Sequence, residues 1–533
     1  MTADLVFVNG EVITVNAKNE VTESVAVKGN RIIAVGPKER TEPYVGKRTR
    51  KIDLQGRSLL PGWIDSHVHL TLYGVYQLGI NCKDQRIRTL DDLLTALKRK
   101  ARRTPKGAWI RAWGFNENEL EDRRYPTLQE LDAVTEDHPV MITRTCGHIS
   151  VVNGKALEIA GIDGNTPDPR GGKIERDSSG RLTGKLIEAA HMHMNRIARF
   201  TEKEIRDGIQ IASDHFLAHG ITSIHEAGGF GPDNWRWIQQ AVQKGDVRVR
   251  VYAMIGSLND SRDFVQKMMA AGVVTGTGDH RFKIGPAKLF LDGSSTGPTI
   301  ATRQPYTSDP GNRGILYYDE DEVFEILGEA HQKGYQITAH AQGDEAIQQF
   351  LHCVERALRK HPRSDHRHRI EHAGICPPDL QRRIRELKVI PVPNPPFPYE
   401  FGDIYLRHYG ERVHHMYPAR DFIDRGILAA AGSDAPITFC DPLLGIHTAV
   451  NRRSREGTAV GADQRVSVMD AIRLYTWNGA YASFEETVKG SVETGKLADL
   501  VVLNGSLLQE DPERIKDLQV DMTVLDGEIV YRR

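Results

Sequence analysis

Residues 59–70, LLPGWIDSHVHL, form an apolar run that ends at two histidines, His67 and His69, one residue apart. In a strand, residues i and i+2 project from the same face, so both imidazoles converge at the strand's C-terminal end. Taken alone, such a pair fits core or surface packing as well as ligation. Seven further apolar segments follow: GITSIHEAGG (220–229), VRVRVYAMIG (247–256), FKIGPAKLFLDG (282–293), YQITAHAQGD (335–344), HRIEHAG (368–374), KVIPVPNP (388–395) and ILAAAGSDAP (427–436). Most end in polar or ionisable residues. Amphipathic runs such as EDEVFEILGEAHQKG (320–334) and PDLQRRIRELK (378–388) lie between some of them. Eight strands with intervening helices predict an α/β fold, a parallel (β/α)8 TIM barrel, whose chemistry sits at the C-terminal strand ends.

Outward from this barrel the two chain ends read alike. LVFV, Asn9–Gly10 and EVITV suggest a β-hairpin, and so do SVAV with RIIAVG across Gly29–Asn30, and MTVL with EIVY across Asp526–Gly527. An isolated two-stranded ribbon is marginal, so both ends are expected to build one small composite β-sandwich domain, residues 1–58 with 485–533. The barrel would then span 59–484. Between its first two strands lie roughly 140 residues, far beyond an ordinary crossover. They contain a helical pattern, LDDLLTALKRKARR, and a strand-like PVMITRT, and residues 71–205 are expected to form an inserted, lid-like subdomain over the barrel mouth.

Composition excludes several function classes. The 533 residues are 39% hydrophobic and 26% charged with a net charge of −1, which gives no field to attract nucleic acid or anionic lipid. Five scattered cysteines (Cys82, Cys146, Cys353, Cys376, Cys440) form no CxxC pair and suit reduced thiols. No leader-like N-terminus and no apolar run of about 18 residues stand out, so a soluble, cytoplasmic protein is expected. Glycine runs such as AGGFGP and DGSSTG lack phosphate-loop spacing, and Ser294–Ser295 lacks a nucleophile-elbow pattern.

Later strand ends supply partners for the histidine pair. His340 closes YQITAH, His372 closes RIEH, and Asp434 follows ILAAAGS. Four imidazoles and a carboxylate on one barrel rim suit zinc or a similar divalent ion. Lys288, flanked by apolar residues in AKLFLDG, is a costly buried amine unless paired or neutralised. It could react with carbon dioxide to give a metal-bridging carbamate, or pair with Asp292 or another carboxylate.

With these segments in view, the whole chain resembles the amidohydrolase superfamily of metal-dependent hydrolases. More specifically it resembles the third amidohydrolase family, which includes N-substituted formamide deformylases. GHISVVNGKAL, AHAQGDEAI, GSDAPI with DPLLGIHTAV, and YTWNGAYASFEE with GKLADLVVLN carry the likeness alongside the strand motifs. The resemblance implies that His67, His69 and Asp434 bind one metal and His340 and His372 a second, with Lys288 carboxylated between them. Zinc is the expected ion, two per chain if Lys288 is carboxylated and one otherwise. A bound divalent ion lowers the pKa of water towards about 7, and Asp434 would serve as general base and then general acid. The expected activity is hydrolysis of a non-peptide C–N bond in a small-molecule amide, an N-substituted formamide or N-acyl amine. Rival readings are a cyclic amide or ester hydrolase with the same metals, and a catalytically silent binding or regulatory member. Neither nucleic acid nor membrane is an expected partner; a homo-oligomer, such as a dimer, is common among resembling enzymes.

Four further residues are candidates for substrate contact. His148 and His225 could hydrogen-bond substrate or serve structure. Trp113 could wall an apolar pocket or be core, and Asp292 could touch substrate, orient a ligand or cap a helix. His191 and His193 fall on a predicted helix, where i and i+2 diverge, and read as surface or packing residues. The run His366–Arg369 and the pair His414–His415 read as solvated.

Overall fold

The computed structural model describes residues 2–533. Seven parallel strands form the central sheet: β1 (Trp63–Val68), β2 (Ile221–Glu226), β3 (Arg250–Ile255), β4 (Phe282–Phe290), β5 (Ile337–Ala341), β6 (Arg369–His372) and β7 (Ile390–Val392). Their spatial order follows the chain, each pairing with the next. Helices Pro232–Lys244, Ser261–Ala271, Asp344–Lys360 and Pro378–Glu386 cross between successive strands and cover the outside. With both faces covered, the strands are buried almost throughout, which explains their near-continuous apolar runs.

The eighth segment departs from expectation: residues 427–434 close the barrel without forming a strand. On one side the amides of Ala430 and Gly432 donate to the carbonyls of Pro391 and Pro393. On the other, Ser66 N donates to Ala431 O, and Asp434 N donates to His67 O at 2.7 Å. The physical reason lies in the alternating prolines of VPNP and its neighbour Pro391: proline has no N–H, so return bonds from that edge cannot form. The closure is tight at Gly432, where a Cβ would sit 2.5 Å from His67 Cβ and 2.6 Å from His67 N.

Two further layers frame the barrel. Strands from both chain ends share one six-stranded sheet, in which Leu500–Leu503 runs antiparallel to Ser58–Pro61. A four-stranded sheet of N-terminal strands packs on it through Phe7, Val25, Leu59, Leu500 and Val524. Between β1 and β2, a second six-stranded sheet runs from Ile80–Asn81 at one edge to Gly172–Arg176 at the other. Its helix Leu90–Ala101, started by a Thr89–Asp92 capping box, packs Leu90, Leu93 and Leu97 on Ile110 and Ile142. Among the described residues no helix is long and apolar enough to cross a membrane.

The segment read as solvated, His366–Arg369, is largely interior: His366, His368 and Arg369 are buried. It leads into β6, an inner strand covered on both faces, so its side chains must enter the barrel or the helix layer. His331 Nε2–H donates to His361 O, His368 pairs with His331 Nδ1 at 2.8 Å, and His368 Nδ1 accepts from Ile337 N. His366 Nε2–H donates to Leu387 O while its Nδ1 accepts from His368 N. Every acceptor nitrogen is in use, so the rings fit only as neutral imidazoles.

Two outcomes follow. Gly432→Ala should cost about 1–3 kcal/mol by overpacking and displace His67, lowering both the melting temperature and retained metal. Wild-type values for both would contradict the packing. Burial lowers the proton affinity of all three histidines from the ordinary 6.5, that of His366 to about 4. The unfolded chain then binds more protons, so stability is full above pH 6.5 and declines as pH falls below it. Denaturant midpoints constant across that range would contradict this.

Candidate metal centre

The ends of β1, β5 and β6 and the closing segment bring His67, His69, His340, His372 and Asp434 to one point on the rim. Ligating atoms of His67, His372 and Asp434 all lie within 4.8 Å of one another. His69 Nε2 lies 3.3 Å and His67 Nε2 3.4 Å from Asp434 Oδ1, and His372 Nε2 lies 3.0 Å from His340 Nδ1. All five are buried. His372 and Asp434 hold φ of +75° and +57°, a backbone state costly for non-glycine residues and concentrated at functional sites.

The tautomers follow from partners that can only accept. His69 Nδ1–H donates to Gly228 O (2.7 Å), and His340 Nε2–H to Gly293 O (2.9 Å). His67 Nδ1–H donates to Glu371 Oε2 (2.5 Å), and His372 Nδ1–H to Asn394 Oδ1 (2.6 Å). Asn394 Nδ2 donates to Gly432 O, which fixes its amide orientation. Burial lowers the proton affinity of His69, His340 and His372, keeping them neutral. The inward nitrogens therefore carry lone pairs, and they face one another and Asp434 with no hydrogen between them. Among the described residues His67 Nε2 has no hydrogen-bond partner. Such a set of acceptors is repulsive alone and fits a divalent cation.

The surrounding shell was not legible from motifs. Glu371 is held by both His67 and the fully buried Arg369, whose Nε and Nη2 lie 2.9 and 3.0 Å from its two oxygens. Burial opposes the Glu371 charge, but Arg369 and His67 hold it well below the usual carboxylate range. Asp65 accepts from His67 N, Ser433 N and Ser433 Oγ, tying β1 to the closing segment. Its position in IDSHVH and that of Glu371 in RIEH were the available signals.

Lys288 is fully buried beside these ligands, and its Nζ donates to Ala227 O at 2.8 Å. It forms no ion pair with Asp292 or any other carboxylate among the described residues. Burial brings its ammonium down to about 8, which makes the neutral, nucleophilic amine more accessible than it is for an exposed lysine, although the ammonium still predominates at neutral pH. Asp292 instead accepts from the amides of Ala301, Gln342 and Gly343, with His340 Nε2 at 3.5 Å. It thus braces the turn after β5.

A cavity of about 520 Å³ opens over His69, His340, His372 and Asp434. His148 lies on its wall, carried in by the insertion together with Tyr76 and Met192; Phe290, Leu316 and Phe397 add apolar surface. Burial disfavours charging His148, but the adjoining Glu188 carboxylate raises its pKa to about 9. Two candidates lie elsewhere. Trp113 is buried behind the wall, stacked at 5.5 Å on Tyr76, whose ring takes the lining position. His225 points into the barrel below the rim, because it precedes the last residue of β2, and there its Nδ1 accepts from Arg369 at 2.8 Å. His191 is buried and His193 exposed, as their helix separates them.

Residues 50–531 match the model of the amidohydrolase family. The chain belongs to that family. It is 31% identical to YtcJ of Bacillus subtilis (strain 168), with 98% of each chain covered. It is 29% identical to the N-substituted formamide deformylase of Arthrobacter pascens over 99% of this chain and 98% of that one. A metal-dependent hydrolase from Pyrococcus horikoshii OT3 superposes with a TM-score of 0.77 at 25% identity, covering 99% of this chain and 100% of the other. This amidohydrolase is accordingly an enzyme of the metal-dependent hydrolase type acting on C–N bonds.

Replacing Asn394 with alanine frees the His372 ring, and loss of such an outer partner typically weakens metal affinity about 10–100-fold. Competition with a chelator of known affinity measures this. An unchanged dissociation constant would contradict the orienting role.

Proposed function

We propose that this amidohydrolase cleaves the amide C–N bond of an N-substituted formamide or a related N-acyl amine, releasing formate or another acid and an amine. The observation that carries this reading is the set of inward lone pairs and the Asp434 carboxylate at the floor of a cavity of about 520 Å³ whose walls are partly apolar. The likeness to a formamide deformylase supports the substrate class. His67, His69 and Asp434 would hold one zinc ion, and His340 and His372 a second, with Lys288 as a carbamate between them. Divalent ions held there supply Lewis acidity and a water that ionises near neutral pH.

The chain's own residues do the rest. Asp434 takes the proton of the attacking water as its oxygen bonds to the carbonyl carbon. It then delivers that proton to the nitrogen as the C–N bond breaks, so that an amine departs instead of an amide anion. Phe290, Leu316 and Phe397 offer apolar surface to the N-substituent and limit water around the reacting carbon.

Asp434→Asn should lower kcat by about 100-fold or more, the scale of general acid–base catalysis, with a much smaller change in KM. The assay uses N-substituted formamides, N-acetyl amines, a cyclic amide and an ester, with bound metal measured on the same samples. Near-full turnover by the asparagine variant would remove the proton-transfer role. Faster wild-type turnover of the cyclic amide or ester than of every acyclic amide would overturn the substrate class.

A further inference from the structure

The inserted sheet brings a second histidine–carboxylate unit to the cavity. Glu188 ends the strand Leu182–Glu188 and is fully buried, with φ of +50° and ψ of −118°. That uncommon backbone state turns its side chain towards the barrel. Four hydrogen bonds fix it. His148 Nδ1–H donates to Oε2 at 2.8 Å, Tyr317 O–H to the same oxygen at 2.7 Å, and Thr299 O–H to Oε1 at 2.6 Å. The Glu188 amide also donates to His148 O at 2.9 Å. Thr299 and Tyr317 belong to the long loop after β4, so the same carboxylate docks the insertion onto the barrel.

Charge arithmetic points to the state of His148. A buried carboxylate needs a cation or protonation, and no lysine or arginine bonds to Glu188 among the described residues. Among the described residues His148 is the one basic group in contact with it. Its side chain is 15% exposed, and that exposed part lies on the cavity wall. Its ring centroid is 6.1 Å from that of His340. Among the described residues the Nε2 atom has no acceptor. A donor held rigidly by one nitrogen and free at the other, on the wall of the cavity that His340 also lines, suits a preorganised oxyanion donor.

We propose that the His148 imidazolium donates its Nε2–H to the substrate's carbonyl oxygen and to the oxyanion that forms when water adds, while Glu188 is the positioning residue that holds its charge and orientation. No proton leaves His148 in this step: the carbonyl π pair moves onto oxygen as the new C–O bond forms, and returns as the C–N bond breaks. The insertion is then part of the catalytic apparatus and not only a cover. This inference rests on the hydrolase reading above.

The test uses metal-loaded wild type, His148→Gln, His148→Asn and Glu188→Gln, with kcat, KM, metal content and melting temperature measured for each. Both His148 variants should lose about 100–1,000-fold in kcat, the usual scale for one oxyanion donor, with KM and metal content close to wild type. Glu188→Gln keeps an acceptor for Nδ1–H but removes the charge, so its kcat should fall by a smaller factor at unchanged KM. Affinity for a phosphonate mimic of the tetrahedral species should fall with kcat/KM, while affinity for the amine product stays constant. That parallel holds even if a variant is less stable, since binding is read on the folded fraction. His148 variants with kcat and phosphonate affinity near wild type would overturn this inference alone. A wild-type protein that turns over no substrate in the amide and ester panel would overturn it together with the hydrolase reading.

Discussion

Buried nitrogen lone pairs that face one another and a carboxylate, without a hydrogen between them, are the constraint on which this structure turns. Each of four histidines spends its one N–H on a carbonyl, carboxylate or amide oxygen behind it. What remains in front is acceptor only. In water such atoms would be solvated; in a buried rim they repel unless a cation lies among them. The backbone accepts strain to reach this state, with positive φ at both His372 and Asp434.

Much of the rest can be understood as support for that arrangement. Glu371 needs Arg369 to stay charged in the barrel interior, and the two form a bidentate pair beneath His67. Leaving either partner alone in such a site typically costs about 3–5 kcal/mol, so the barrel's central polar layer and the metal centre stand or fall together. Arg369 also occupies His225 and the Ser66 carbonyl, which distributes its donors over three strands. The closing segment packs Gly432 against His67 and lets Asp65 tie Ser433 to β1, which places Asp434 opposite the histidine pair. The composite β-domain acts further away, joining both chain ends where β1 begins.

The barrel and its rim residues were readable because strand periodicity and strand-end position are local properties of the chain. His67 and His69 declare a shared face by their spacing, and His340, His372 and Asp434 each follow an apolar run. The supporting shell is not local. Glu371 matters because β6 lies within reach of His67, and Asn394 because a proline-rich strand end passes behind His372. Glu188 is meaningful only once the insertion folds back onto Thr299 and Tyr317. The same limit explains the misread positions. The run His366–Arg369 looks hydrophilic, yet neutral histidines can satisfy one another and an arginine can pair inside a barrel. Trp113 and His225 sit one layer away from the cavity, a distance that residue type does not encode. The eighth strand failed to form as a ladder because prolines on its neighbour removed the donors it needed.

The most direct test is the amount of divalent metal bound per chain, measured by plasma mass spectrometry on protein prepared without chelators or a histidine tag. The account predicts stoichiometric metal, about two equivalents if Lys288 bridges as a carbamate, with most of it lost in a His67→Ala, His372→Ala double variant that remains folded. Wild-type protein that stays below one equivalent after incubation with zinc or manganese and bicarbonate would contradict it. The inward-facing lone pairs would then need another explanation.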